Sequence, residues 1–376
     1  MIAVSSSTIT PTQYKGGEER RMVEYVAVDI AKKNCMLCAE NEFGTVDESF
    51  HYPNTTADAT SVAKRLASKY GECEGVVEST GNMWQKTYEA FESCGIKMKL
   101  ANPLKTRLIA EARIKTDKLD SKILADLLRG DLIAECYVPS KEIRLQRTLL
   151  GHRATISREQ NRIENRIHAL LNKYDLSCPY ESRMFGVHGM AWLHSLKLDG
   201  YDQRVFESLV RQLEFLKEEE ARTNAEIASD AIQNSKYAPK IMSMTGFDYY
   251  SASMMSACIA DISRFRSPSR LVSWVGMCPT VHQTGETIYY GKMKDGNKKA
   301  QWIMTQVANV AAQRDPRMKA YYEKIVKRHH HNVAITHVAN KMLRILWYML
   351  TEDTLYNERN ERLYASKLKR LQRIAV

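Results

Sequence analysis

Two carboxylates stand three residues apart in the segment ARIKTDKLDSKILADLL, residues 112–128. Leu, Ile and Ala recur there at helical spacing, so the pattern predicts an amphipathic helix. Residues at i and i+3 share one face of a helix, and we therefore expect Asp117 and Asp120 side by side. Such a pair is either solvated surface charge or part of a site that needs clustered negative charge.

Two further acids lie in or at the end of predicted apolar strands, where a carboxylate is unusual. Asp29 follows YVAV within the first apolar strand pattern, where a charge is costly unless it faces a cleft or binds a cation. Glu78 ends GVVE, at the carboxyl end of a predicted strand, which is the edge where open α/β sheets bind ligands. Taken singly, each acid is more often a strand-edge residue, a turn residue or part of a helix-surface ion pair than a metal ligand, and their order along the chain is what favours a metal site.

A shared metal site would explain all four acids together. Four carboxylates drawn to one place repel each other, and divalent cations with oxygen ligands remove that penalty. We expect Asp29, Glu78, Asp117 and Asp120 to hold Mg²⁺, as two ions, with Mn²⁺ as the alternative metal. A pair of such ions stabilises the attacking and leaving oxygens of a phosphoryl transfer.

Strand and helix patterns alternate over residues 23–140. Three strand-like runs within 23–50 predict a meander, and the later alternation predicts parallel strands covered by helices. Two long, charged helices follow, and their narrow apolar stripes predict an antiparallel coiled-coil arm or dimer contact, with an ordinary pair of core helices as the alternative. The predicted division is a disordered leader (1–22), an α/β domain (23–140), a helical arm (141–235), a mostly helical C-terminal domain (236–350) and a basic tail (351–376).

The composition of the chain indicates its kind of partner and its cellular location. Lys and Arg outnumber Asp and Glu by 55 to 44, and this net charge of +11 favours nucleic acid over membrane as a partner. No apolar run reaches the length of a membrane span, and the N-terminus lacks a secretory signal. Eight cysteines without an export signal predict reduced thiols in a cytoplasm. The lone CxxC pair, Cys35 and Cys38, has no second ligand pair, so zinc is not expected.

Four sequence blocks occur in a fixed order: YVAVDIAK, VVESTGNMW, NPLKTRLIAEARIKTDKLDSKILADLL and LVSWVGMCPTVHQTGETIYYGKMKDGNKKAQWIMTQVA. Together they resemble the IS110/IS1111 group of transposases, related to the pilin-gene invertases, over residues 23–350. The resemblance implies a RuvC-like (ribonuclease H-like) N-terminal domain whose DEDD tetrad falls on Asp29, Glu78, Asp117 and Asp120. It also implies a mostly helical transposase domain with a nucleophilic serine.

The same resemblance implies how such an enzyme works. Its hydroxyl attacks a DNA phosphodiester to form a covalent protein–DNA link, and strands are exchanged. The implied partners are double-stranded DNA at the element ends and target, and a structured guide RNA from the element. The implied assembly is a homodimer or tetramer in which the acids of one subunit meet the hydroxyl of another. The expected location is the cytoplasm, at the nucleoid when the enzyme acts.

One position departs from the family pattern. The family's serine precedes Gly, three to four residues after Pro, whereas CPTVHQTGE places Thr284 there, and no serine lies between Val275 and Ala300. Threonine carries the same hydroxyl, although its methyl group crowds the attacking oxygen. The alternatives are attack by Thr287 or Tyr289, an inactive copy, or a threonine that only caps the turn before Gly285.

The segment VHQTGETIYYGKMKDGNKKAQWIMTQVANVAAQRD, which begins at Val281 and contains this threonine, is predicted to start as a Gly-punctuated loop and to continue as a helix. Lys292, Lys294, Lys298 and Lys299 are candidate contacts to the DNA backbone, with a solvated loop as the alternative. Three functions follow in order of preference. They are a transposase or recombinase with a hydroxyl nucleophile, a RuvC-like nuclease that uses metal-activated water, and a nucleic-acid-binding relative without catalysis.

Overall fold

The computed structural model describes residues 23–79, 81–109, 117–180, 183–285, 287–293 and 295–375. By its internal contacts the chain divides into two units, Met1–Val138 and Pro139–Val376. The finer division of the second unit near residue 235 stays a prediction.

A five-stranded mixed sheet forms the first unit, in the order β3-β2-β1-β4-β5. The strands are β1 (Glu24–Ile30), β2 (Asn34–Glu40), β3 (Val46–Pro53), β4 (Cys73–Glu78) and β5 (Lys97–Ala101). The first three form the predicted antiparallel meander, and β4 and β5 run parallel to β1. The predicted α/β class is therefore confirmed, with a ribonuclease H-like sheet.

Helices cover both faces of this sheet, and they are α1 (Thr56–Tyr70), α2 (Trp84–Ser93) and α4 (Asp117–Arg129). A short helix, α3 (Pro103–Ile109), follows β5. The local sequence sets the ends of α1, because the Thr55 hydroxyl accepts the Asp58 N–H (3.1 Å) and Gly71 stops the helix at φ +77°. Buried residues of α1 and α2 pack on one face of the sheet. Those of α4 pack on the other.

The pleat of the strands separates the two cysteines of the CxxC pair. Cys35 lies in the core beneath α1 and α2, whereas Cys38 lies in the core beneath α4. Both are buried free thiols. Because they face opposite layers of the sheet, they cannot ligate one metal ion together.

The second unit begins with two long helices, α5 (Lys141–Lys173) and α7 (Gly200–Gln233). They are antiparallel, since Arg153 Nε donates to Asn224 Oδ1 (3.2 Å) while Lys173 pairs with Asp202 at the other end. The connection between them, predicted as a loop, contains the helix α6 (Val187–Ser195). Its Leu193 is fully buried against α5 and α7, and this packing holds the segment in place.

The rest of this unit is mostly helical, as predicted. Its elements are α8 (Ala238–Ile241), α9 (Tyr249–Ile259), α10 (Pro268–Val275), β6 (Pro279–Thr284), β7 (Thr287–Met293), α11 (Lys298–Arg314), α12 (Pro316–Val326), α13 (His331–Thr351) and α14 (Glu361–Ala375). The prediction of a loop was wrong at β6 and β7, which form an antiparallel hairpin. The basic C-terminal segment is a helix that packs against α7. In the described ranges, no helix is both long and apolar enough to cross a membrane.

Candidate functional site

The register of two parallel strands brings the two sheet acids together. Ala27 pairs with Val76 and Val28 with Val77, so the next step along both strands sets Asp29 beside Glu78. Residues two apart in a strand share a face, and Ala27 and Val76 both lie under α4. Asp29 and Glu78 therefore share the α4 side at the carboxyl ends of their strands. Neighbouring strands are about 4.8 Å apart, close enough for both carboxylates to reach one cation.

Helix α4 carries the other two acids toward the same end of the sheet. Its C-terminal Arg129 contacts Glu40, which pairs with Tyr25 near the start of β1. The Arg129 guanidinium also lies beside Gly44, in the turn after β2. The helix therefore runs antiparallel to β1, and its first turn lies toward the end where Asp29 and Glu78 are. Asp120 is half-buried beside the fully buried Ser121. Asp117 is the first residue of α4, and its side chain lies outside the described part of the structure.

An ion-pair cluster that the sequence analysis missed fastens α4 to the sheet. Glu40 is completely buried, and it accepts hydrogen bonds from Lys122 Nζ and from Arg129 Nε (2.9 Å). Asp126 bridges the same two cations at 2.8 and 3.0 Å. We call Glu40, Lys122, Asp126 and Arg129 the Glu40 cluster. Because a buried carboxylate is costly without partners, the cluster fixes how far α4 lies along the sheet.

The electrostatics of this cluster favour its charged state. Partial burial raises the pKa of Asp126, but the hydrogen bonds from Lys122 and Arg129 outweigh it, so the net pKa is lowered. The same pairing raises the pKa of Lys122 against the opposing effect of burial. A sequence signal existed, since Lys122, Asp126 and Arg129 are spaced for one helix face. Their partner Glu40 could not be read from that spacing.

The donor set at the sheet end fits a hard divalent cation. Asp29, Glu78, Asp117 and Asp120 offer only carboxylate oxygens, the ligands that Mg²⁺ prefers. Among the described side chains, which do not include that of Asp117, no group of three or more His, Cys, Asp or Glu is close enough to hold a metal ion. The structure thus sets Asp29 beside Glu78 at one end of one face, and among the described side chains it forms no three-ligand cage.

The candidate nucleophile lies at the tip of the β6–β7 hairpin. Thr284 is the last residue of β6 and pairs with Thr287, the first residue of β7, while His282 pairs with Tyr289. Positions 284, 287 and 289 therefore share one face of the ribbon, so all three candidate hydroxyl residues are on the same side. Gly285 makes the turn with φ +60°. Thr287 and Tyr289 are exposed, and the Thr284 side chain lies outside the described part.

The four candidate lysines follow this hairpin. Lys298 and Lys299 are exposed in the first turn of α11, which the Asn297 side chain caps by accepting the Ala300 N–H (3.0 Å). Lys298 pairs with Asp295 at 3.0 Å, an exposed contact of little energetic weight. The Lys292 side chain and all of Lys294 lie outside the described residues.

The sheet order, with acids at its parallel-strand ends, is that of a ribonuclease H-like domain, and the comparisons give the class of enzyme as a transposase, which carries out phosphoryl transfer on DNA. Two family models agree with that class. One, described as a transposase and built on the DEDD domain of IS110 elements, matches residues 26–175. The other, described as "Transposase IS116/IS110/IS902 family", matches residues 238–323. The chain belongs to this IS110/IS116/IS902 family of insertion-sequence transposases, and the predicted resemblance is confirmed.

Individual relatives extend the similarity along most of the chain. The transposase for insertion sequence element IS1111A of Coxiella burnetii is 25% identical over 346 residues, which cover 89% of this chain and 91% of the relative. The transposase for IS1328 of Yersinia enterocolitica is 22% identical, covering 70% of this chain and 80% of the relative. A probable family 20 transposase of Pseudomonas aeruginosa is 23% identical, covering 71% and 85%.

Proposed function

We propose that this transposase cuts and rejoins DNA through a covalent protein–DNA intermediate, with Thr284 as the nucleophile. Asp29, Glu78, Asp117 and Asp120 would hold Mg²⁺ or Mn²⁺. The observation that supports this most is the β1–β4 register, which sets Asp29 beside Glu78 at the sheet end toward which the first turn of α4 points. The family membership supports DNA as the substrate and a divalent metal as the cofactor.

In the proposed step, the Thr284 hydroxyl oxygen forms a bond to the phosphorus of a DNA phosphodiester. The bond from phosphorus to the 3′ oxygen breaks, and the departing oxygen takes up a proton as the 3′ hydroxyl. A carboxylate of the tetrad accepts the threonine proton. Bound metal ions neutralise charge on the phosphoryl oxygens.

Rejoining is the reverse step with a different strand. A 3′ hydroxyl attacks the phosphorus of the threonine–phosphate link and gives up its proton. A new phosphodiester forms, the bond from phosphorus to the Thr284 oxygen breaks, and that oxygen takes up a proton. The phosphoester bond is conserved throughout, so no nucleotide cofactor is needed to reseal the DNA. Direct hydrolysis by water would lose that bond, which is the difference between a recombinase and a nuclease.

The proposal includes the partners of the reaction. These are double-stranded DNA at the element ends and target, a structured RNA from the element that guides their choice, and further copies of this chain as a dimer or tetramer. The net charge of +11 and the exposed Lys298 and Lys299 support a polyanionic partner. The proposed site of action is the bacterial nucleoid, within the cytoplasm.

The test is a labelled DNA duplex carrying the element end, incubated with protein and Mg²⁺ and resolved on a denaturing gel. We expect a protein–DNA adduct with wild-type protein and with Thr284→Ser, and none with Thr284→Ala. Thr287→Ala and Tyr289→Phe are matched controls on the same face of the hairpin, and both should retain the adduct.

Other outcomes would contradict the proposal in distinct ways. An adduct that persists in Thr284→Ala but disappears in Tyr289→Phe would move the nucleophile to the tyrosine. Cut ends without any adduct in the wild-type protein would indicate a nuclease that uses water. Binding without cutting would indicate an inactive relative.

A further inference from the structure

Helix α14 has one packed face and one exposed basic face. Leu371 is buried in the core of the second unit, and Tyr364, Leu368 and Ile374 pack around it. The opposite face carries exposed residues at i, i+4, i+7 and i+11, a spacing that keeps them in one line along a helix. This basic row consists of Arg362, Ser366, Lys369 and Arg373.

Hydrogen bonds from the packed face hold the helix in a fixed orientation. The Tyr364 hydroxyl donates to the Pro239 carbonyl at 3.0 Å. Lys367 Nζ donates to the carbonyls of Met242 and Met244 at 2.8 and 3.0 Å. The basic row is therefore presented on a rigid support, which lowers the entropy lost when it binds a partner.

The cations of the basic row are available for an external partner. Nearby arginines are paired, since Arg370 contacts Asp248 at 3.2 Å and Arg359 contacts Glu361 at 2.6 Å. Within the described residues, no carboxylate forms an ion pair with Arg362, Lys369 or Arg373. A surface that had evolved only for solvation would commonly alternate charge signs along the exposed face, and this one does not.

The dimensions of the row match a nucleic-acid backbone. Eleven helical steps of 1.5 Å separate Arg362 from Arg373, so the row is about 16 Å long. A strand of duplex DNA carries one phosphate for about every 3.4 Å of helix axis, and the row spans several of them. The Ser366 hydroxyl between the cations is a further donor of the kind that contacts phosphate.

We propose that the basic row of α14 binds the sugar-phosphate backbone of the DNA on which the transposase acts. A straight, evenly spaced row complements the regular backbone of a duplex. The contact carries no base-edge donors or acceptors beyond phosphate binding, so it contributes affinity without sequence preference. The inference rests on the family's DNA substrate and does not depend on Thr284 or on the metal site.

The test compares two triple variants of the full-length protein, in EDTA so that no strand is cut. One is Arg362→Gln, Lys369→Gln and Arg373→Gln. The matched control is Lys319→Gln, Lys324→Gln and Lys327→Gln, which removes three exposed positive charges that are not aligned in a row. Duplex binding is measured by fluorescence anisotropy at several salt concentrations, and thermal unfolding verifies that both variants fold.

The expected result is a smaller salt dependence for the α14 variant only. Each phosphate contact contributes about 0.9 to the slope of log K against log salt, so loss of three contacts should reduce it by about 2 to 3. Element-end and unrelated duplexes should lose affinity equally. An unchanged slope, an equal change in the control, or a loss confined to a structured RNA hairpin probe would overturn the proposal.

Discussion

Glu24 illustrates how much position along one strand matters for a carboxylate. It begins β1, at the end opposite Asp29, and only 4% of its surface is exposed. Among the described residues, its Oε1 has no hydrogen-bond partner. Burial, and next the negative charge of Asp47, raise the pKa of Glu24 to about 7. This acid therefore costs the fold stability at neutral pH, and no catalytic use for it is apparent.

We predict that Glu24→Gln stabilises the protein in a pH-dependent way. The unfolded chain releases the Glu24 proton near pH 4.5 and the folded chain near pH 7. The folded state thus binds more protons in between, and wild-type stability falls as the pH rises through this range. The melting temperature of the variant should exceed that of the wild type at pH 8, and the difference should vanish near pH 4. Glu42→Gln, at an exposed turn, should follow the wild-type curve at every pH.

Helix α4 is the element on which the proposed reaction most depends. Its residues Lys122, Asp126 and Arg129 belong to the Glu40 cluster, and its first turn carries Asp117 and Asp120. Leu124, Ala125 and Leu128 pack on the sheet. The apolar contacts are non-directional, so the directional ion pairs are what determine the axial position of the helix.

Removing the charge of Glu40 should therefore impair strand exchange more than stability alone explains. Glu40→Gln leaves Lys122 and Arg129 without their buried anion, at an expected cost of about 1–3 kcal/mol in the free energy of unfolding. Glu48→Gln is the matched control, since Glu48 pairs with Arg65 (2.7 Å) and Lys69 (3.5 Å) to tie β3 to α1 in the other layer. Well below both melting temperatures, strand exchange should slow in the first variant only. An equal loss in both would show that α4 has no special role.

Sequence periodicity was enough to predict the meander of β1 to β3, the helices that alternate with strands, and the long helices α5 and α7. The sequence did not predict the β6–β7 hairpin, because the residues between its strands lack the Asn-Gly or Asp-Gly signal of tight hairpins. Its strands are also punctuated by glycine and lysine. The Glu40 cluster could not be predicted from the sequence for another reason. Its partners are 82 and 89 residues from Glu40, and only tertiary packing brings them together.

The residues of the candidate site could be proposed from the sequence, but their arrangement in space could not. Strand ends and helix spacing singled out Asp29, Glu78 and Asp120, since an acid in an apolar strand or at a strand end stands out in the sequence. Their relation in space depends on the parallel register of β1 with β4 and on the direction of α4, neither of which a single sequence specifies. The Thr284 position came from the family pattern, because a hydroxyl before glycine has many ordinary roles in turns.

At the scale of the whole molecule, the proposed catalytic groups belong to different units. The acids are in Met1–Val138 and Thr284 is in Pro139–Val376. The proposed reaction therefore requires the acids and the hydroxyl to meet in the assembled complex. The proposed assembly uses a neighbouring copy.

Mixing two inactive variants tests whether the acids and the hydroxyl come from different copies. Asp120→Asn keeps the hydroxyl, and Thr284→Ala keeps the acids. When the two are mixed and allowed to exchange subunits, a site shared between copies regains one intact set of groups, so the covalent DNA adduct should reappear on the gel. Each variant alone serves as the control. A mixture that stays inactive, despite proven subunit exchange, would place acids and hydroxyl in the same copy.

The two halves of the carboxylate set are held by different kinds of force. The interval between Asp29 and Glu78 is dictated by backbone hydrogen bonding between strands, which tolerates almost any neighbouring side chain. The distance from those acids to Asp120 depends on the position of α4 on the sheet. Substitutions far from the acids can alter that position. An intact DEDD pattern in a genome is thus insufficient to recognise a mobile copy, because decay can begin at residues that the pattern does not contain.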